Sequence, residues 1–97
     1  MTPFRELDPL LHSQLRLAIM SVLISVDSVD FSYLREKTGA TAGNLSVQIS
    51  KLKDAGYISV SKSFGESYPQ TMCTITDLGR RKFAEYVTAL NDYLKPD

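Results

Sequence analysis

The chain holds one cysteine and one histidine in 97 residues, and its charges cancel, eleven Lys and Arg against eleven Asp and Glu. A single thiol, Cys73, excludes a disulfide framework. Zero net charge offers no chain-wide attraction for nucleic acid or anionic membrane, so any such attraction must be local. No apolar run approaches the length of a spanning helix, and no basic segment followed by an apolar one stands at the amino end; neither a membrane partner nor secretion is expected. The expected setting is a reducing, cytoplasmic one. Repeats, low-complexity tracts and linkers are missing. So are metal-ligand spacings, phosphate-cradling glycine loops and nucleophile elbows, and His12 and Cys73 lie far apart, so no enzyme, cofactor or metal site is expected. Cys73 reads as a small buried hydrophobe in a strand, and His12 as a surface or helix-packing residue.

What is present is 43% hydrophobic residues, enough for one core and one domain over residues 1–97. From about residue 8 to 26, Leu11, Leu15, Ala18, Ile19, Val22, Leu23 and Val26 recur at the spacing of a helix face. Leu10, Leu17, Met20 and Ile24 fall on the opposite side, which a small monomer has little means to cover. VDF at 29–31 is a short extended piece. A short helix follows at 32–39, with Ser32 as its cap and Gly39 at its end. Ala40 and Thr41 separate it from a third helix over about 41–55, capped by Thr41 and stopped by Gly56. Residues 57–64 alternate, with Ile58 and Val60 on one face and Ser59, Ser61 and Ser63 on the other, and 71–76 returns to complete a hairpin. Thr76 caps a last helix over about 77–95, whose stripe is Phe83, Tyr86, Val87, Leu90, Tyr93 and Leu94. At 18 residues it would be about 27 Å long, more than so small a domain needs.

The predicted fold class is mainly α with a small β-hairpin (α+β), in the order of a winged helix-turn-helix. The segments RLAIMSVL, DFSYLREKTGATAGNLSVQISKLKDAGYI and TITDLGRRKF resemble the short, stand-alone winged-helix transcriptional regulators of the MarR/ArsR-like type, over nearly the whole chain. That resemblance implies sequence-specific binding of double-stranded DNA by a homodimer. It also implies a wing, about 57–76, that brings a basic residue to the DNA. Here the loop FGESYPQ has no Arg or Lys and includes Glu66; only Lys62 is near.

The third helix carries the most specific signal. With Leu45, Ile49 and Leu52 at the core, its outward and flanking positions hold Gly43, Asn44, Ser46, Val47 and Ser50, where a solvated helix would be filled with long charged side chains. The major groove, about 12 Å wide, just admits a helix, and its base edges are read by short donors, acceptors and methyl groups. Asn44 suits an adenine edge, Val47 a thymine methyl, and Ser46 and Ser50 bases or phosphates. Thr41 and Ala42 stand at the helix start, where backbone amides hold a phosphate. Lys51 and Lys53 are phosphate contacts or ordinary solubility residues. The candidate DNA-binding set is completed by Lys62 and Tyr68, the latter alternatively a solvated hairpin tip. Arg80 and Lys82, without obvious partners, are further phosphate candidates, whereas Asp77, Arg81 and Glu85 have the spacing of an ion-pair ladder.

The spare face of the first helix (Leu10, Leu17, Met20, Ile24) and the long stripe of the last (Tyr86, Leu90, Tyr93, Leu94) form the expected dimer interface. The alternative for the last helix is that its aromatics fold back on their own chain. The sequence implies no ligand pocket, although a groove of the dimer between first and last helices would have room for an effector, whose identity is unknown. The competing function is a winged-helix protein-interaction module without DNA binding, which the neutral charge and the acidic loop favour.

Overall fold

The computed structural model describes residues 4–64 and 69–95. Four helices, α1 (Gln14–Val26), α2 (Phe31–Thr38), α3 (Ala42–Asp54) and α4 (Asp77–Leu94), combine with strands β1 (Ser28–Asp30), β2 (Ile58–Phe64) and β3 (Pro69–Ile75). The sheet is antiparallel with β3 in the centre: Cys73 pairs with Val29 on one side and Val60 on the other. The expected hairpin therefore gains a third strand from the short extended piece after α1. This is the winged-helix arrangement.

Local chemistry explains most element ends. Thr41 accepts the Asn44 amide at 3.2 Å and Thr76 accepts that of Gly79 at 3.0 Å, each satisfying a donor the helix start leaves free. Gly39 (φ 71°) and Gly56 (φ 81°) take the positive φ at which a Cβ is strained. Two ends differ from expectation. The α2 cap is Asp30, whose Oδ1 accepts the Tyr33 amide at 2.8 Å, in place of Ser32; a carboxylate there also meets the positive end of the helix dipole. The first helix starts at Gln14, because residues 8–12 close their own turn: Asp8 accepts the Leu10 amide on Oδ1 at 2.9 Å and the His12 amide on its carbonyl at 2.8 Å.

Helix α1 touches α2, α3, α4, β1 and β3, which corrects the expectation that one of its sides goes uncovered. Met20 is 0% exposed within the chain, and Leu10, Leu17 and Ile24 are half-buried against the core. Tyr86 is corrected likewise: it is 4% exposed, with its hydroxyl 2.9 Å from His12 Nδ1. Neither Met20 nor Tyr86 is free to meet a partner. Helix α4 nevertheless projects. The molecule measures 58 × 25 × 21 Å with a radius of gyration of 14.8 Å, against about 12.5 Å for a compact chain of this length. Along its far end the segment before α1 lies alongside, Phe4 stacking on Tyr93 at 4.7 Å and Arg5 paired with Asp92 at 3.3 Å.

The start of α4 crosses the turn that follows α3 closely. Thr76 Oγ1 donates to the Gly56 carbonyl at 2.6 Å, and the Thr76 amide to the Tyr57 carbonyl at 3.1 Å. A Cβ on Gly79 would stand 2.1 Å from that Tyr57 oxygen, so the T-x-x-G spacing supplies both a cap and the room for the crossing. Asp27 ends α1 with φ 71°, the one described non-glycine residue at positive φ. Its carbonyl accepts the Ile75 amide at 3.0 Å and its carboxylate pairs with Arg80. The cation left without an evident sequence neighbour thus has a long-range partner. Lys82 pairs with Glu85 at 3.7 Å, and the Asp77, Arg81 and Glu85 ladder is replaced by these two contacts.

The glycine environments yield a paired expectation. Gly79→Ala should destabilise the chain by about 1–3 kcal/mol, since backbone must yield. Gly43→Ala, whose Cβ meets nothing within 4 Å, should stabilise it by about 0.5 kcal/mol through helix propensity. Similar melting temperatures for the two variants would refute the close crossing.

Stability should also fall in alkali. Burial, with a smaller contribution from Asp30, pushes the Cys73 thiol up to about 11 from 9.0, and burial together with the Asp8 hydrogen bond raises the Tyr57 hydroxyl from its ordinary value. Both are acids whose proton the folded chain keeps after the unfolded chain has lost it, so stability is full below about pH 9 and declines as pH rises. The Cys73 share amounts to roughly 2–3 kcal/mol by pH 11. Denaturant unfolding across this range should show a smaller decline for Cys73→Ala; an unchanged one would remove the thiol from the account.

Candidate nucleic-acid interface

Helix α3 is oriented by an aliphatic stripe. Leu45, Ile49 and Leu52, at i, i+4 and i+7, are buried in the common core. The consequence is that the expected contact residues share one surface: Thr41, Ala42, Gly43, Asn44, Ser46, Val47, Ser50 and Lys51 are all exposed, Val47 by 51%. Apart from Lys51 none has a long side chain. The last turn adds Lys53. Along β2, Ser59, Ser61 and Ser63 are exposed while Ile58 is buried and Val60 half-buried, as the alternation predicts; Lys62 is exposed although it follows Ile58 and Val60 on their face. Lys62 pairs in register with Thr71, toward the loop end of the hairpin. Tyr68, with Gly65, Glu66 and Ser67, lies outside the described residues.

The helix-turn-helix itself is short and tightly made. Gly39 donates to the Arg35 carbonyl at 2.9 Å, Ala40 to Thr38 Oγ1 at 3.3 Å, and the next residue, Thr41, is already the α3 cap. Beside the turn, the Lys37 ammonium stands 5.5 Å above the Tyr33 ring, a cation–π contact between two exposed residues.

Two residues at the site escaped the sequence reading. Gln48, at the edge of the outward surface of α3, accepts from Arg16 Nη1 at 2.5 Å and donates to Asn44 Oδ1 at 3.1 Å. Arg16, on α1, is 32 positions away from Gln48, and nothing in local spacing announces the contact. On another part of the molecule, an open cleft of about 440 Å³ lies between the segment before α1 and α4, lined by Asp8, Tyr57, Lys82 and Glu85 among others. It is lined by residues of a single chain.

A surface helix of small side chains, a two-residue turn before it and a β-hairpin after it match known proteins. The family described as winged helix DNA-binding domain matches residues 15–94. The uncharacterized protein MJ0432 of Methanocaldococcus jannaschii is 33% identical over 76 residues, 78% of this chain and 83% of that protein. Among solved structures, a transcriptional regulator homologue from Pyrococcus horikoshii OT3 superposes with a TM-score of 0.83 at 27% identity, over 88% of this chain and 84% of that one. A candidate transcriptional regulator of Thermoplasma acidophilum, TA0346, superposes with a TM-score of 0.70 at 26% identity, over 91% and 90%. No helix among the described residues is long and apolar enough to cross a membrane. The chain therefore belongs to the winged helix DNA-binding domain family.

Proposed function

We propose that this protein is a transcriptional regulator that binds specific double-stranded DNA sequences as a homodimer, with α3 as its recognition helix. One observation carries the reading: the exposed surface of α3 is built of small side chains on a helix whose opposite stripe is fully seated in the core. Such a helix fits a groove of about 12 Å and brings Asn44, Ser46, Val47 and Ser50 to base edges. Thr41, Ala42 and Gly43 stand at its start, where free amides favour a phosphate, and Lys51 faces the backbone. On the hairpin, Lys62 and the loop residue Tyr68 take the role of a wing with little charge. The related transcriptional regulator structures support this assignment.

The dimer rests on α4. Val87, Tyr93 and Leu94 remain exposed on it, Leu94 by 68%, and Leu90 is half-buried beside them. Leu10, Leu17 and Ile24 offer partly open apolar surface on and before α1. Pairing two copies would set two α3 helices about one DNA turn apart and let a palindromic site be read twice. With zero net charge per chain, single copies make few phosphate contacts, and doubling the site compensates by effective concentration.

Selection of bound sites from random duplexes at two salt concentrations tests the DNA reading. The expected product is a palindromic sequence. Asn44→Ala should weaken binding about 5- to 150-fold and relax one base position, whereas Lys51→Ala should weaken all sequences alike and lower the salt slope by about 1. Selection of no sequence, with affinity retained for a protein partner, would favour the interaction-module reading. For the dimer, Leu94→Glu should shift sedimentation equilibrium toward monomer while the chain keeps its native circular dichroism spectrum. A wild-type chain that sediments as a monomer would refute it.

A further inference from the structure

A line of polar side chains runs from α1 to the surface of α3. Arg16, half-buried, donates from Nε to the Leu10 carbonyl at 2.6 Å and from Nη1 to Gln48 Oε1 at 2.5 Å. Gln48 donates from Nε2 to Asn44 Oδ1 at 3.1 Å. Chemistry sets the direction of this line. A guanidinium has five donors and no acceptor, so Gln48 must turn its oxygen toward Arg16. Its other amide atom is then a donor only, and Asn44 must meet it with oxygen. What Asn44 has left to present is its NH2 group. Because the bond to Arg16 is charge-assisted, about twice as strong as a neutral one, reversing Gln48 would exchange the strongest link for a repulsive contact, and reversing Asn44 alone would set its NH2 group against that of Gln48.

We propose that Arg16 and Gln48 set the polarity of Asn44, so that it faces DNA as a hydrogen-bond donor and selects a base edge that accepts. The inference deepens the DNA-binding reading and rests on it. In the major groove guanine presents two neighbouring acceptors, N7 and O6, and thymine one, O4, whereas cytosine presents the N4 amino donor. Adenine is best read by an amide that accepts from N6 while donating to N7. With Oδ1 turned along the helix toward Gln48, that two-way contact is handicapped. Guanine is therefore the favoured partner, in place of the adenine suggested by residue type alone. Arg16 and Gln48 are positioning residues: they act on the base only through Asn44.

Gln48→Glu tests this directly. The substitution keeps the side chain's shape and its bond to Arg16, but a carboxylate only accepts, so Asn44 must turn its NH2 inward and its oxygen outward. Sites selected from random duplexes should then change at the position that Asn44→Ala relaxes, from a base edge that accepts to one that donates, adenine or cytosine, by about fivefold or more in relative preference. In an Asn44→Ala background, Gln48→Glu should alter no base preference. Identical base choices by wild type and Gln48→Glu, with only uniform weakening from the added charge, would overturn the proposal while leaving DNA binding intact. Selection of no sequence by the wild type would remove the DNA reading and this inference with it. A DNA-free measurement separates the two: in nuclear magnetic resonance spectra of the free protein, Arg16→Met should move the side-chain amide signals of both Gln48 and Asn44, and Asn44 signals that stay in place would disprove the relay whatever the protein binds.

Discussion

The seating of Leu45, Ile49 and Leu52 in the core is the contact on which the molecule's outward chemistry depends. Each such side chain, when fully buried, contributes about 1.5–3 kcal/mol, while a typical neutral hydrogen bond at the surface returns about 0.5–1.5. Turning α3 by one residue, about 100°, would withdraw at least two of the three anchors and bring polar residues inward, Asn44, Gln48 and Lys51 or Ser46, Ser50 and Lys53. Packing therefore decides which face is presented. The Arg16–Gln48–Asn44 line refines a choice already made, by fixing which atom of an exposed side chain points away from the protein. The two effects act on different scales: burial orients the helix and hydrogen bonding orients the amide.

Much of this was legible in the residues because it is local. Thr41, Thr76, Gly39 and Gly56 announce helix ends through chemistry confined to a few neighbouring positions, and all four act as read. The outward set on α3 was equally legible, since one aliphatic stripe determines the opposite surface by angle alone. Errors arose where a residue's fate is decided by distant chain. Asp8 and Pro9 delay α1 by making a turn of their own, and Asp30 takes the cap from Ser32. Met20 is buried because α1 touches five other elements, and Tyr86 on α4 meets His12 before α1, facts of topology that periodicity does not contain. Arg80 finds Asp27 across 53 positions. Arg16 finds Gln48 the same way, so the site residue with the strongest influence on Asn44 was the least visible.

The charge balance points to recognition that depends more on fit than on attraction. DNA affinity falls with salt at a slope of about −0.9 per phosphate neutralised, and here Arg80 and Lys82 are matched by Asp27 and Glu85 within the fold. On the helix-turn-helix and the hairpin, the exposed cations that make no ion pair among the described residues are Arg35, Lys37, Lys51, Lys53 and Lys62. A regulator with so few cations per copy would bind random DNA weakly, and the discrimination between sites would fall on base contacts and on pairing of two copies. Small side chains and a fixed amide polarity suit that division, because close approach and directional bonds count for more as the uniform attraction declines.

The turn at residues 8–12 joins the parts that such a mechanism would have to keep in register. Asp8 receives the Tyr57 hydroxyl at 2.5 Å, just beyond the end of α3; the Leu10 carbonyl receives Arg16, and through it Gln48; His12 meets Tyr86 on α4. One short segment thus bonds to the turn between α3 and β2, to the polar line reaching α3 and to the projecting helix. In a two-fold dimer built on α4, the separation of the two α3 helices follows from the angle between α4 and α3 within each copy, amplified along the 18-residue length of α4. Slack at the turn would change that separation by more than any movement inside α3, since a hinge near the base of a long helix displaces its far end most. Hydrogen bonds, being short and directional, resist such a change better than apolar contacts, which tolerate sliding. This gives a physical reason for a polar turn beside an otherwise apolar core: it constrains a distance, while the aliphatic residues supply the stability.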